Sequence, residues 1–215
     1  MKVVQFRCNE FAENCFIAYD EISLDAIIID PGMKYAQEWD SVRNFISNKK
    51  LVVRHILLTH YHLDHILGTG LCSKEYNIDI SGSLEDMLGL PSPVVQARMF
   101  GMEYSNGIIG ISKNLKEGDV IQCRHHKIQV IDCPGHSHHG LCYYFPEDKI
   151  LFTGDVLFYC SIGRSDFGEE MGGNGQLLVQ GIVTKLLTLP SDVIVYPGHG
   201  PQTSIGKEST FNPYI

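Results

Sequence analysis

The sequence lacks any long hydrophobic run: no stretch approaches the ~20 consecutive apolar residues that a membrane-spanning helix needs. The opening residues, MKVVQFRCNEFAEN, also lack the extended apolar segment of a secretory signal. These two absences argue against a membrane partner and against export. We therefore expect a cytoplasmic protein.

Clusters of basic residues are missing as well. The chain has 17 Lys and Arg against 25 Asp and Glu, which gives a formal net charge of −8. Because phosphate binding is driven by clustered positive charge, we expect no nucleic-acid partner. The acidity is typical of a soluble protein, and a small-molecule substrate is the expected partner.

Closely spaced cysteine pairs are a third absence. The seven cysteines are odd in number and widely spaced, and no Cys-x-x-Cys motif occurs. This pattern argues against a disulfide framework and favours reduced, buried thiols.

What the chain does contain is a regular alternation of apolar runs over 215 residues, which predicts one domain spanning 1–215. Short runs rich in Val and Ile, bounded by polar residues, glycine or proline, predict strands. These runs are Lys2–Phe6, Cys15–Tyr19, Ala26–Ile29, Val52–Leu58, Ile128–Ile131, Leu141–Phe145, Ile150–Phe152 and Val193–Tyr196.

Helical spacing of apolar residues predicts helices over 36–48 and 175–187, the second with Asn174 as its cap. Residues 84–114 have no clear period and are interpreted as a helical insertion or a lid. Two sheets back to back with helices outside would accommodate this order of elements.

Four apolar runs end in a small or turn-forming residue followed by a side chain that can bind metal. They are ILLTH, VIDCPGH, ILFTGD and VIVYPGH, which end at His60, His136, Asp155 and His199. In three of them glycine directly precedes the candidate ligand and permits a sharp turn. If these strands lie side by side, the four side chains emerge along one edge of the sheets.

The segment THYHLDH, residues 59–65, completes the pattern. His60 and His62 alternate in an extended segment and can point the same way, and Asp64 and His65 follow as the chain turns towards a helix. One metal could take His60, His62 and His136, and a second could take Asp64, His65 and His199, with Asp155 between them. Nitrogen and carboxylate ligands without thiolate suit Zn²⁺, Fe²⁺ or Mn²⁺. The other histidines, which are His55, His125, His126, His138 and His139, are expected to be structural or exposed.

The segments THYHLDH, PGHS, FTGD and YPGHGPQT resemble the four ligand-bearing motifs of the metallo-β-lactamase fold hydrolases. The similarity extends along nearly the whole chain and is greatest to the glyoxalase II-like branch, the hydroxyacylglutathione hydrolases and their short relatives. The resemblance implies an α+β fold, a four-layer αββα sandwich with the metal site at one edge of the sheets. It also implies the division of ligands given above.

The expected function is therefore that of a dinuclear zinc thioesterase of the glyoxalase II type, with two Zn²⁺ per chain and Fe or Mn as alternatives. A metal-bound hydroxide would attack the thioester carbonyl. Asp64 and Asp155 are the catalytic candidates. Asp30, which ends a strand, is a candidate support for the imidazoles, with a turn or cap role before Pro31-Gly32 as its alternative. A leaving thiolate with a pKa near ~8.5 needs no dedicated general acid.

Two departures from the branch affect the substrate. The chain ends at Ile215, without the helical domain that grips glutathione in the longer enzymes. Arg164 matches a basic position of the family, but Ser165 and Asp166 replace the aromatic residues that follow it there. Tyr143 is a candidate for the substrate wall, with a core position as its alternative. The competing functions are a mononuclear iron enzyme like the persulfide dioxygenases, and a hydrolase of another ester or of a lactam.

Overall fold

The computed structural model describes residues 1–102 and 107–215. Most strands of the described part pair into two six-stranded sheets. The strands of the first sheet are β1 Lys2–Cys8, β2 Glu13–Tyr19, β3 Asp25–Ile29, β4 Val52–Leu57, β5 Ile80–Gly82 and β6 Lys113–Asn114, in that order. The strands of the second are β7 Val120–Cys123, β8 His126–Asp132, β9 Leu141–Phe145, β10 Ile150–Gly154, β13 Ile194–Pro197 and β14 Thr203–Ser204, in the order β14-β13-β10-β9-β8-β7. A separate hairpin joins β11 Leu157–Phe158 and β12 Ser161–Ile162.

The two sheets pack face to face through one apolar layer. Side chains alternate along β3, so that Ile27 and Ile29 point to the second sheet while Ile28 points away from it. Tyr143 and Phe152 face them from the second sheet. This interior fixes how the strand ends of the two sheets meet.

Helices cover the outer faces of both sheets. Their bounds are α1 Ala36–Asn48, α2 Leu63–Ile66, α3 Thr69–Tyr76, α4 Leu84–Gly89, α5 Pro93–Met99, α6 Gly175–Gly181 and α7 Ile205–Phe211, with a 3₁₀ turn at Glu169–Met171 and a π turn at Ile182–Leu186. α1 packs Val42 and Ile46 on the first sheet, and α6 packs Leu178 on the second. The order of layers is αββα, so the predicted fold class is confirmed.

Most predicted elements appear with shifts of one or two residues at their ends. The predicted helix over 175–187 is α6 followed by the π turn, and the Asn174 side chain caps it by accepting from the Leu177 amide at 3.1 Å. The segment 84–114 contains α4, α5 and β6, while residues 103–106 of it lie outside the described residues. All seven cysteines are free thiols. Over 1–102 and 107–215, no helix combines the length and the apolar character needed to cross a membrane.

Candidate metal centre

Side chains with metal-binding groups meet where strands of both sheets end at one edge. β3 and β4 are parallel, and β10 and β13 are parallel, so their carboxyl ends lie together within each sheet. The residues that follow these ends, together with the loop after β8, converge on one place. All seven predicted ligands are among them: His60, His62, Asp64, His65, His136, Asp155 and His199.

Glycine precedes three of these ligands, His136, Asp155 and His199, because at each place the chain passes too close to its neighbours for a side chain. A Cβ atom on Gly198 would lie 2.2 Å from Asp155 Oδ1. One on Gly154 would lie 2.3 Å from Thr59 Oγ1, and Gly154 also has a φ of +49°. These contacts explain the motifs GH and GD in the sequence, since a side chain has no space at Gly198 and suits neither the space nor the conformation at Gly154.

Three histidines form the first donor set. His62 Nδ1 lies 2.9 Å from His136 Nε2. The His60 ring packs beside both, with centroid distances of 4.7 Å to His62 and 5.0 Å to His136. Their ligand nitrogens all lie within 4.8 Å of one another, which is the spacing of ligands around one ion.

Asp64, His65 and His199 form the second donor set. Asp64 Oδ2 lies 3.1 Å from His199 Nε2 and 3.7 Å from His65 Nε2. Asp155 lies between the two sets: its Oδ1 is 3.4 Å from His65 Nε2, and its Oδ2 is 3.5 Å from both His136 Nε2 and His199 Nε2. One carboxylate therefore reaches both donor sets.

Backbone carbonyls fix which nitrogen carries the proton in two of the three first-set rings. His136 Nδ1 donates to the Arg164 carbonyl at 2.7 Å, and His62 Nε2 donates to the Met171 carbonyl at 3.4 Å. Burial lowers the pKa of His62 to about 3, so its ring is neutral. The inward nitrogens of the two rings thus carry lone pairs that face each other, an arrangement that a cation between them would stabilise.

Asp30 supports both sets from behind. Its Oδ2 accepts from His65 Nδ1 at 3.0 Å and from the Thr59 hydroxyl at 2.6 Å. Since the Thr59 proton is directed at Asp30, Thr59 Oγ1 accepts from His60 Nδ1, 3.0 Å away. The predicted support by Asp30 is confirmed, and Thr59 extends it to His60.

The donor atoms that result fit a divalent cation. Buried His60 Nε2 has no hydrogen-bond partner in the described part of the chain. Burial, with the neighbouring histidines, lowers the pKa of His60 well below its usual range. Burial opposes ionisation of Asp155, yet His199 and His65 hold the pKa of its carboxyl well below the usual range. A neutral imidazole beside an ionised carboxylate matches the protonation states of metal ligands.

A pocket of about 270 Å³ opens onto the donor sets. Most of its wall is apolar and consists of Phe11, Leu63, Phe100, Phe158, Phe167 and Met171. The Arg164 guanidinium lies over the Phe167 ring, 4.4 Å from its centroid. Apart from residues of the donor sets, Arg164 is the one titratable side chain among the described residues of the wall.

Two expectations about the wall need correction. Tyr143 is wholly buried between the sheets, where its hydroxyl donates to the Leu58 carbonyl, so it is a core residue rather than a substrate contact. The loop after Asp155 does carry an aromatic wall residue, Phe167, one position beyond the Ser165 and Asp166 that replace the family's aromatics. The adjacent sequence RSDF contained that signal.

Sequence reasoning missed two polar residues that hold the 59–65 segment. Gln96 of α5 accepts from the Leu63 amide at 2.9 Å and donates to the Tyr61 carbonyl at 3.2 Å. Asp86 of α4 accepts from the Tyr61 amide and the His139 amide, both at 2.8 Å. A glutamine inside the otherwise apolar PVVQA was the available signal.

The five remaining histidines lie outside both donor sets. They are His55, His125, His126, His138 and His139. His126, for example, is held between Asp148 at 2.7 Å and Asp20 at 2.8 Å, in a link between the two sheets.

The sequence profile of the Metallo-beta-lactamase superfamily matches residues 9–199. The chain therefore belongs to the metallo-β-lactamase superfamily. Its members bind divalent metals and are generally hydrolases, so the chain is a metallo-hydrolase of this superfamily.

Individual relatives cover nearly the whole chain. It is 34% identical over 206 residues to hydroxyacylglutathione hydrolase GloC of Haemophilus influenzae, which spans 95% of this chain and 93% of that protein. The crystal structure of BLEG-1 B3 metallo-β-lactamase is 30% identical, with a TM-score of 0.87 over 99% of both chains. TTHA1623 in a di-iron-bound form is 27% identical, with a TM-score of 0.84 over 99% of this chain and 100% of that one.

Proposed function

We propose that the chain is a dinuclear metal-dependent thioesterase of the glyoxalase II type. The observation that carries the proposal is the pair of donor sets with Asp155 between them, open to a pocket. The similarity to GloC supports the thioester as substrate. Divalent cations in these sets would act as Lewis acids and lower the pKa of a bound water towards ~7.

The reaction adds water across the acyl carbon–sulfur bond. The C–S bond breaks and a C–O bond forms between the acyl carbon and the oxygen of water. The products are a carboxylic acid and a thiol, or a thiolate if the second proton of the water goes to solvent. Asp64 and Asp155 hold their carboxylates at the pocket floor, where they would bind metal and orient the attacking water. The described wall offers no general acid beyond the donor sets, and a thiolate leaving group with a pKa near ~8.5 needs none.

The proposed metal is zinc, two ions per chain, with iron or manganese as alternatives that a nitrogen and carboxylate set also suits. A mononuclear iron enzyme like the persulfide dioxygenases would need only the first set and Asp155. The completeness of the second set favours two ions. The proposal includes a cytoplasmic location and a small-molecule substrate.

Hydrolysis of a lactam or another ester is the second candidate, which the similarity to BLEG-1 supports. Attack of water on the acyl carbon would also hydrolyse these substrates, with an amine or alkoxide as the leaving group. Those groups are poorer leaving groups than a thiolate and gain more from a proton donor, which the described wall does not offer.

Elemental analysis of the purified chain together with a substrate panel tests the proposal. We expect two equivalents of metal per chain and, in a thioester panel that begins with S-lactoylglutathione, turnover of at least one thioester that exceeds turnover of a β-lactam. Oxygen uptake with glutathione persulfide is measured in parallel. One equivalent of iron with oxygen consumption, or turnover of β-lactams alone, would overturn the thioesterase.

A further inference from the structure

Aromatic rings line the pocket beside both donor sets. Phe11 and Phe100 pack edge to face, with centroids 5.5 Å apart, and leave 39% and 42% of their surface exposed. Phe158 and Phe167 lie beside the metal-binding rings, 6.3 Å from His199 and 5.7 Å from His136. Such walls bind best to groups that are themselves apolar.

The one cation among the described residues of this wall is already paired. Arg164 Nε and an Nη of its guanidinium donate to the two carboxylate oxygens of Asp166 at 2.9 and 3.0 Å. The same guanidinium stacks on Phe167. The backbone carbonyl of Arg164 accepts from His136 Nδ1, which fixes Arg164 at the rim of the pocket. Asp166 therefore compensates part of the charge that Arg164 presents to an incoming substrate, since the pair is exposed.

Glutathione carries carboxylates on its glycine and γ-glutamyl ends. A carboxylate placed against these rings would lose water without gaining an uncommitted cation from the described wall, which is costly. The acidic chain, with a net charge of −8, adds no attraction for an anion.

Resting on the thioesterase function proposed above, we propose that the substrate is a thioester of an apolar, uncharged thiol. Asp166 is a specificity-determining residue, because it occupies the guanidinium that would otherwise receive a carboxylate. The phenylacetyl thioesters of N-acetylcysteamine and of glutathione form the test pair, since they share the acyl group and differ in the charge of the thiol.

With the metal-loaded chain, kcat/KM for the N-acetylcysteamine ester should exceed that for the glutathione ester by about tenfold or more. Binding of the non-hydrolysable S-benzyl thioethers of the same two thiols, measured by calorimetry, should show the same order. The inference would be overturned if kcat/KM for the glutathione ester were equal or higher and the glutathione thioether bound equally well or more tightly. Tighter binding of the neutral thioether without hydrolysis of either ester would support the pocket assignment and refute the thioesterase.

Two variants with matched controls test the residues. Asp166→Asn should lower the ratio of kcat/KM for the N-acetylcysteamine ester to kcat/KM for the glutathione ester by about twofold to fivefold, which corresponds to the energy of an exposed ion pair. Asp192→Asn, at another exposed pair, should leave this ratio unchanged. Phe100→Ala should weaken binding of the neutral thioether by about fivefold, whereas exposed Phe211→Ala should not. If each variant behaves like its control, these residues do not set the preference.

Discussion

Asp155 is the residue on which the two donor sets depend most, since its carboxylate lies within 3.5 Å of nitrogens in both. Asp155→Ala should therefore lower the metal content by about one ion per chain and reduce turnover by roughly 10²–10³-fold or more. Elemental analysis and thioester kinetics on the same preparation measure both effects. Exposed Asp192→Ala serves as the control, and an Asp155 variant with normal metal content and turnover would contradict the bridging role.

Thr59 is a smaller part of the same site. Thr59→Val keeps the shape of the side chain but removes the oxygen that accepts from His60 Nδ1 and donates to Asp30. Because such contacts orient metal-binding imidazoles, the affinity for zinc should fall by about 10- to 100-fold. Competition with a chelator measures it. Thr210→Val removes a hydroxyl that donates to the Gly206 carbonyl on α7 and should leave the affinity unchanged.

At the residue scale, the sequence predicted that the seven candidate ligands would lie together, because each lies in a short motif that follows a strand end. It could not predict Thr59, whose role depends on where the Asp30 carboxylate lies after folding. It could not decide on Tyr143 either, since its strand is buried on both faces and alternation carries no signal there.

At the scale of elements, α4 and α5 hold the metal-binding segment through Asp86 and Gln96. The 13-residue helix α1 was predictable from its helical spacing, and β3 was predictable from its run of isoleucines. The role of the 84–114 segment was not predictable from the sequence. Its helices are short, and their buried polar residues bind the 59–65 segment, which lies 25 to 35 positions away.

Gln96→Leu tests this support. The buried Leu63 amide would lose its acceptor, at a cost of about 1–3 kcal/mol in the free energy of unfolding. Zinc affinity should fall as well, because the turn between His62 and Asp64 loses its anchor. Urea unfolding of the metal-free chain and zinc titration separate the two effects. Gln180→Leu on the exposed face of α6 is the control, and equal behaviour of the two variants would refute the supporting role.

At the scale of the whole molecule, the two sheets are linked at both ends of their strands. The two donor sets of the candidate metal centre meet where β3, β4, β10 and β13 end. At the start of β3, Asp25 of the first sheet accepts from Arg54 at 2.5 Å and from Arg124 of the second sheet at 2.7 Å. Asp30 lies five positions after Asp25, about 16 Å along the strand. The Asp25 cluster can therefore be tested independently of metal.

Burial of Asp25 opposes its ionisation, but hydrogen bonds from Arg54 and Arg124 lower the pKa of its carboxyl below the usual value. A lowered folded-state pKa stabilises the fold above the unfolded value of ~3.9, and this stability is lost as the pH falls through the folded pKa. In the metal-free chain, Asp25→Asn should lower the melting temperature by about 2–4 °C at neutral pH, and the difference from the parent should shrink below about pH 4. Asp40→Asn, at an exposed pair on α1, should show little difference at any pH. A difference for Asp25→Asn that stays constant as the pH falls would mean that ionised Asp25 does not link the sheets.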